Sequence, residues 1–154
     1  MPIDVRIRPF REDDSPPLRE IYRLTRMQAF HWLDSQQMLR EDFDHDTEGE
    51  RIWVAERDRR PLGFVSAWEP ENFIHNLFVH PDAAGRGVGS ALLDVCLAQL
   101  GRPATLKCLG RSTQSRDFYL HRGWRVTSED VGPDGKYLLM RFDGHGTPLT
   151  SGQS

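Results

Sequence analysis

The segment that most limits what this chain can become is Leu77–Leu93, Leu-Phe-Val-His-Pro-Asp-Ala-Ala-Gly-Arg-Gly-Val-Gly-Ser-Ala-Leu-Leu. An apolar strand ends at Pro81, a loop holding Gly85, Gly87 and Gly89 follows, and an amphipathic helix starts at once. Glycines placed there let the backbone approach a ligand closely and turn its N–H groups inward. A helix N-terminus adds unpaired donors and a partial positive charge, so the junction suits a phosphate or pyrophosphate. Three familiar phosphate loops do not fit. A P-loop needs Lys-Ser or Lys-Thr after the last glycine, and Ser90-Ala91 stands there. A dinucleotide fingerprint is spaced Gly-x-Gly-x-x-Gly, whereas this loop reads Gly-x-Gly-x-Gly. A kinase loop requires catalytic and metal-binding motifs downstream, and the sequence has none.

Around this segment the pattern alternates between strand and helix. Val5–Arg8 is a short alternating strand, and Ser15-Pro16 reads as an N-cap with a first-turn proline. Leu18, Ile21, Tyr22 and Thr25 then recur at helical spacing toward Phe30. Asp34 with Gln37 opens a second helix carrying Met38, Leu39 and Phe43. Ile52–Glu56 and Leu62–Trp68 form a hairpin around Arg57–Pro61, and Phe73–Val79 is the central strand. Gly89–Leu100 is a helix closed by Gly101, Thr105–Leu109 a strand, and Thr113–Arg122 a helix ended by Gly123. Trp124–Thr127 and Tyr137–Phe142 are strands joined through the turn Pro133-Asp134-Gly135. From Asp143 on, Gly, Thr, Pro and Ser dominate. The expectation is one domain over residues 1–142 and a disordered tail over 143–154.

Composition narrows the function classes. At 154 residues the chain has the length of one domain with a sizeable core. A net charge of −3, with basic residues scattered, argues against a nucleic-acid face. No apolar run approaches the roughly 18–20 residues of a membrane helix, and Met1-Pro2-Ile3-Asp4 begins no signal peptide. Cys96 and Cys108 lack ligand spacing and read as buried thiols of a reducing, cytoplasmic compartment. Asp44-x-Asp46-x-Glu48-Gly49 imitates a calcium loop, but position twelve falls on Ala55, which has no carboxylate to give. The six histidines show no metal-ligand spacing, so no metal is expected.

Leu77–Leu93 resembles the acetyl-CoA-binding motif of the GNAT superfamily of N-acetyltransferases, Gln/Arg-x-x-Gly-x-Gly/Ala. A second stretch, Ser112-Thr113-Gln114-Ser115-Arg116-Asp117-Phe118-Tyr119-Leu120-His121-Arg122-Gly123-Trp124, is similar to the family's Asn-x-x-Ala-x-x-Phe-Tyr-x-x-x-Gly-Phe/Trp. The likeness in element order runs from about Val5 to Phe142. Ala84 departs from the Gln/Arg position, and Ser112 and Ser115 replace Asn and Ala. The resemblance implies an α/β (α+β) fold. Its sheet is mixed, mostly antiparallel and twisted, with about six to seven strands flanked by about four helices. The central strands are splayed to admit acetyl-CoA.

It also implies roles for residues. Leu77, Phe78 and Val79 would meet the pantetheine arm. Gly85, Arg86, Gly87, Val88, Gly89 and Ser90 would hold the pyrophosphate, with Ser112, Phe118 and Tyr119 as further cofactor contacts. Tyr119 stands where the family's tyrosine protonates the departing thiolate; a phenol with an ordinary pKa near 10 can donate to it. For the base, His75 on the central strand carries an imidazole that accepts a proton near neutral pH, and Glu69 and Glu71 sit at the strand's mouth. Phe30 and Trp32, with Trp68 and His75, are the candidate acceptor wall. The acidic stretch Glu41–Glu50 reads either as a solvated helix end or as a lure for a cationic amine. The function expected is acetyl transfer to a primary amine of a small molecule or peptide, by a monomer or homodimer without nucleic-acid or membrane partners. A non-catalytic acyl-CoA sensor and a nucleotide phosphotransferase are the competing readings.

Overall fold

In the structure, a computed structural model, residues 4–29, 39, 41–110, 112–133 and 135–144 are described. The chain forms two compact units, one taking the chain up to Glu69 together with His75–Gln99, the other Pro70–Ile74 and the chain from Leu100 on. The first holds β1 (Arg6–Pro9), α1 (Ser15–Ala29), α2 (Asp42–Asp46), β2 (Arg51–Arg57), β3 (Arg60–Trp68), most of β4 (Phe73–Val79) and α3 (Val88–Gln99). The second holds the start of β4, then β5 (Ala104–Leu109), α4 (Thr113–Leu120), β6 (Arg125–Gly132) and β7 (Gly135–Phe142). The strands hydrogen-bond in the order β1-β2-β3-β4-β5-β7-β6. β4 pairs with β5 in parallel, and the ladders β1–β2, β2–β3, β5–β7 and β6–β7 are antiparallel. Among the described residues this is the mixed, mostly antiparallel sheet with four α-helices that the sequence leads one to expect.

In the first unit β2 and β3 are covered on both faces, which is why Ile52–Ala55 and Phe64–Ala67 are continuously buried rather than alternating. Ile52, Val54 and Phe64 join Leu18, Ile21 and Tyr22 of α1 and Phe43 of α2 in one cluster. The Tyr22 ring meets Phe43, Phe64 and Phe78 edge-on, at 6.2, 6.1 and 5.3 Å between centroids. The pleat sends Trp53, Ala55, Val65 and Ala67 to the opposite face, and α3 packs against β2 and β3. Its apolar stripe, Val88, Leu92, Leu93, Cys96 and Leu97, is buried.

Ser15 is not the N-cap that its position suggests. A 3₁₀ turn, Glu12–Asp14, precedes it, and the Asp14 carboxylate accepts from the Arg11 amide at 2.7 Å. Arg8 grips the same carboxylate with two bonds of 2.8 Å and donates to Glu56 at 2.7 Å. Burial pushes the Asp14 carboxyl up, but Arg8 and the Arg11 amide outweigh it and hold the group below its ordinary value.

The second unit buries Ala104, Leu106 and Cys108 of β5 with Leu138, Met140 and Phe142 of β7 and with Trp124. Asn72 anchors the start of β4: its side chain accepts from the Gly101 amide at 2.8 Å and its carbonyl from the Thr105 amide at 3.1 Å. The β4–β5 ladder consists of Phe73↔Thr105 and Ile74↔Leu106. β6 runs on past Thr127 to Gly132, because Ser128–Gly132 pairs with Gly135–Leu139 through the backbone while its side chains stay largely exposed. Such a strand leaves no hydrophobic alternation to read. Both cysteines are free and buried; burial pushes the Cys96 thiol up to about 12 and raises that of Cys108.

Candidate active site

β4 leads the chain into the glycine turn, and its placement depends on Gly63 of β3. A Cβ there would lie 2.6 Å from the Phe78 carbonyl oxygen and 3.1 Å from the Val79 Cα, so only glycine lets the two strands approach this closely. Phe78 turns its ring into the aromatic cluster of the first unit, 5.9 Å from Phe64, so it has its main chain left to offer a ligand. Leu77 and Val79 are half-buried. After β4, the His80 amide bonds the Leu62 carbonyl at 2.7 Å, and its Nδ1 accepts from the Asp82 amide at 3.0 Å, closing the 3₁₀ turn Pro81–Ala83.

The turn itself has Gly85 at φ +77° and Gly87 at φ +84°. A Cβ on either would meet nothing within 4 Å, so glycine is required for the sign of φ, in a turn whose surroundings are open. α3 begins at Val88, one residue ahead of the predicted Gly89. The first-turn amides of an α-helix have no intrahelical acceptor, and Val88 and Gly89 occupy that turn directly after the two left-handed glycines. The Ala91 amide already bonds the Gly87 carbonyl at 3.1 Å. Together the turn and helix present donors and a positive helix end, the chemistry of a diphosphate cradle.

His75 lies on β4 with its Nδ1 2.7 Å from Glu50 Oε2. Glu50 raises the imidazole's proton affinity against the opposing effect of burial, and the Asp46 carboxylate and main chain add to it, so the pKa stands above the ordinary histidine value. Glu50 is nearly buried, with 9% of its side chain exposed, and its Oε1 has no hydrogen-bond partner among the described residues. The sequence puts Glu50 at the end of an acidic run that reads as a solvated helix end or a lure for a cationic amine, with nothing to single it out. No pattern at that position distinguishes a buried carboxylate from the exposed ones before it.

In the rest of that acidic run Glu41, Asp44 and Glu48 are exposed, as a solvated helix end would be, and three of its aspartates meet α1. Asp42 pairs with Arg26 at 2.9 Å and Asp44 with Arg19 at 2.9 Å, while Asp46 accepts from the Tyr22 hydroxyl. Glu69 sits on a 3₁₀ turn after β3, half exposed, and pairs with Arg51 at 3.1 Å; Glu71 closes the same turn. Trp68, at the end of β3, is exposed and faces Gly49. Phe30 and Trp32 lie outside the described residues, as does the predicted helix start at Asp34.

In the second unit, Ser112 caps α4. Its hydroxyl accepts from the Ser115 amide at 3.2 Å and donates to Ser115 Oγ at 2.8 Å. The serine that stands in for the motif's asparagine therefore already has local partners for its hydroxyl. Phe118 and Tyr119 are half-buried, and the Tyr119 ring meets Phe118 at 5.1 Å and Trp124 at 5.7 Å, both edge-on. Gly123, at φ +93°, ends the turn after α4 as predicted.

Comparison with known proteins agrees with this arrangement. The family model for the acetyltransferase (GNAT) domain matches residues 48–126. A peptidyl-lysine N-acetyltransferase of Escherichia coli K12, YiaC, is 29% identical over 100 residues; the match covers 65% of this chain and 65% of that relative's length. Among solved structures, a GCN5-related N-acetyltransferase from Rhodopseudomonas palustris superposes with a TM-score of 0.74 at 20% identity, covering 93% of this chain and 98% of that one. The PaiA N-acetyltransferase of Thermoplasma acidophilum, solved in complex with coenzyme A, gives 0.73 at 15% identity, covering 92% and 99%. This chain belongs to the GNAT acetyltransferase family. Among the described residues no helix is long and apolar enough to cross a membrane.

Proposed function

We propose that this protein is an acetyl-CoA-dependent N-acetyltransferase, moving the acetyl group from the thioester to a primary amine by direct attack. The observation that carries this is the turn at Gly85 and Gly87, with left-handed glycines feeding straight into the first turn of α3. In a chain of this family it is a ready diphosphate cradle. The main chain of Leu77, Phe78 and Val79 serves the pantetheine arm, and Gly85–Ser90 the pyrophosphate.

Attack requires a neutral amine, stabilisation of the developing oxyanion and a proton for the leaving thiolate. His75 takes the proton from the amine. The Nδ1 contact to Glu50 holds the ring in place for that transfer. Tyr119, by its place in the Phe-Tyr motif, returns a proton to the coenzyme sulfur. The acceptor is a small-molecule amine. A lysine side chain in a peptide is the second reading, favoured by what the E. coli relative is named for.

Titration calorimetry with acetyl-CoA, followed by thiol release on a panel of small amines and lysine peptides, tests the proposal. Binding with turnover on one class supports it and selects the acceptor. Tight binding with no release on any amine favours a sensor, and absence of binding removes both.

A further inference from the structure

The hairpin joining β2 to β3 turns on Asp58 and Arg59, at φ 52° and 67°. Two-residue turns of this hand ordinarily use Asn-Gly or Asp-Gly, so an arginine held there is strained. The strand register sets Arg57 directly opposite Arg60, a like-charge pair that works against the hairpin. Both arginines, with Arg86 of the glycine turn and His80, line a cavity of about 260 Å³.

Little offsets these cations. Asp58 and Asp82 also border the cavity, but their side chains are 89% and 94% exposed, and Asp58 reaches Arg57 only at 3.9 Å. Arg60 and Arg86 have no ion-pair partner among the described residues. The His80 ring accepts from the Asp82 amide through Nδ1, so a neutral ring carries its proton on Nε2 and is a donor there. Three guanidiniums and an imidazole donor around one small cavity make a site for a compact, doubly charged anion.

We propose that this cavity binds the 3′-phosphate of the coenzyme. The inference rests on the acetyl-CoA reading above and names a second anchor for the same ligand. In coenzyme A the 3′-phosphate hangs from the ribose whose 5′ carbon carries the diphosphate, a few bonds away. Arg86 belongs both to the turn assigned to the diphosphate and to the wall of this cavity. A phosphomonoester carries nearly two charges at neutral pH, enough to relieve the repulsion between Arg57 and Arg60 across the hairpin.

Calorimetry of acetyl-CoA against 3′-dephospho-acetyl-CoA tests it, on the wild type and on an Arg57→Gln/Arg60→Gln variant shown by thermal melting to be folded. The wild type is expected to bind the dephospho form about tenfold to a hundredfold more weakly, the worth of one or two charge-assisted hydrogen bonds. The variant is expected to bind both forms alike, at the wild type's dephospho level. Equal binding of the two coenzymes by the wild type overturns the phosphate site while leaving the acetyltransferase reading intact. The site is also overturned if the variant keeps the wild type's discrimination. Failure of the wild type to bind either coenzyme overturns the acetyltransferase reading and this inference with it.

Discussion

His75 Nδ1 stands 2.7 Å from Oε2 of Glu50, a carboxylate only 9% exposed. The hydrogen bond favours the protonated ring, so the folded-state pKa lies above the unfolded one. The stability this gives is complete below the ordinary histidine pKa and is lost as pH rises through the raised folded value. Glu50→Gln is therefore expected to lower stability most at about pH 5 and least at about pH 9, where the wild type holds a buried carboxylate beside a neutral ring. If His75 is the base, the same variant moves the acid limb of kcat/KM to lower pH. Urea melts at the two pH values and an NMR titration of His75 check this. A His75 pKa unchanged by the substitution would refute it.

Gly87 and Gly63 are glycines for different reasons, and substitution separates them. Gly87→Ala meets no atom but must hold φ +84°, a strain of about 1–2 kcal/mol. Its expected effect is roughly fivefold to thirtyfold weaker acetyl-CoA binding, with only a small fall in melting temperature where the unliganded turn relaxes. Gly63→Ala drives a methyl to 2.6 Å from the Phe78 carbonyl and forces β3 from β4, destabilising the fold by about 1–3 kcal/mol. Calorimetry beside thermal melts distinguishes the two.

Tyr119→Phe keeps the ring that packs on Phe118 and Trp124 and removes only the hydroxyl. If that hydroxyl protonates the thiolate, kcat falls by about 10²–10⁴ while acetyl-CoA affinity stays within a few-fold. Single-turnover thiol release together with calorimetry reads both quantities. A loss of binding with kcat unchanged would assign Tyr119 to packing.

Asp14→Ala leaves the Arg8 guanidinium, 7% exposed, with Glu56 as its remaining carboxylate. Removing one partner of a buried pair costs about 3–5 kcal/mol, and the surviving Glu56 contact places the expected loss at the lower end. Because the Asp14 pKa is depressed, its contribution is present above the unfolded carboxyl value and disappears as pH falls through the folded one. The gap between wild type and variant in urea melts therefore narrows in acid.

Much of this protein was legible along the chain because the signals are local. The order of strands and helices, the glycine turn, the Gly123 stop and the buried cysteines each follow from residues close together in sequence. Backbone geometry and apolar periodicity act over a few residues, and so do the motifs they build. What stayed hidden depends on distant residues meeting. Glu50 and His75 are 25 positions apart, and Arg57 and Arg86 join one cavity from two separate turns. Asp44 and Asp42 of the acidic run meet arginines of α1 that lie 25 and 16 positions away. Whether a carboxylate is buried or a cation compensated depends on the dielectric and the partners that folding supplies, and those are properties of three-dimensional neighbours rather than of residue order.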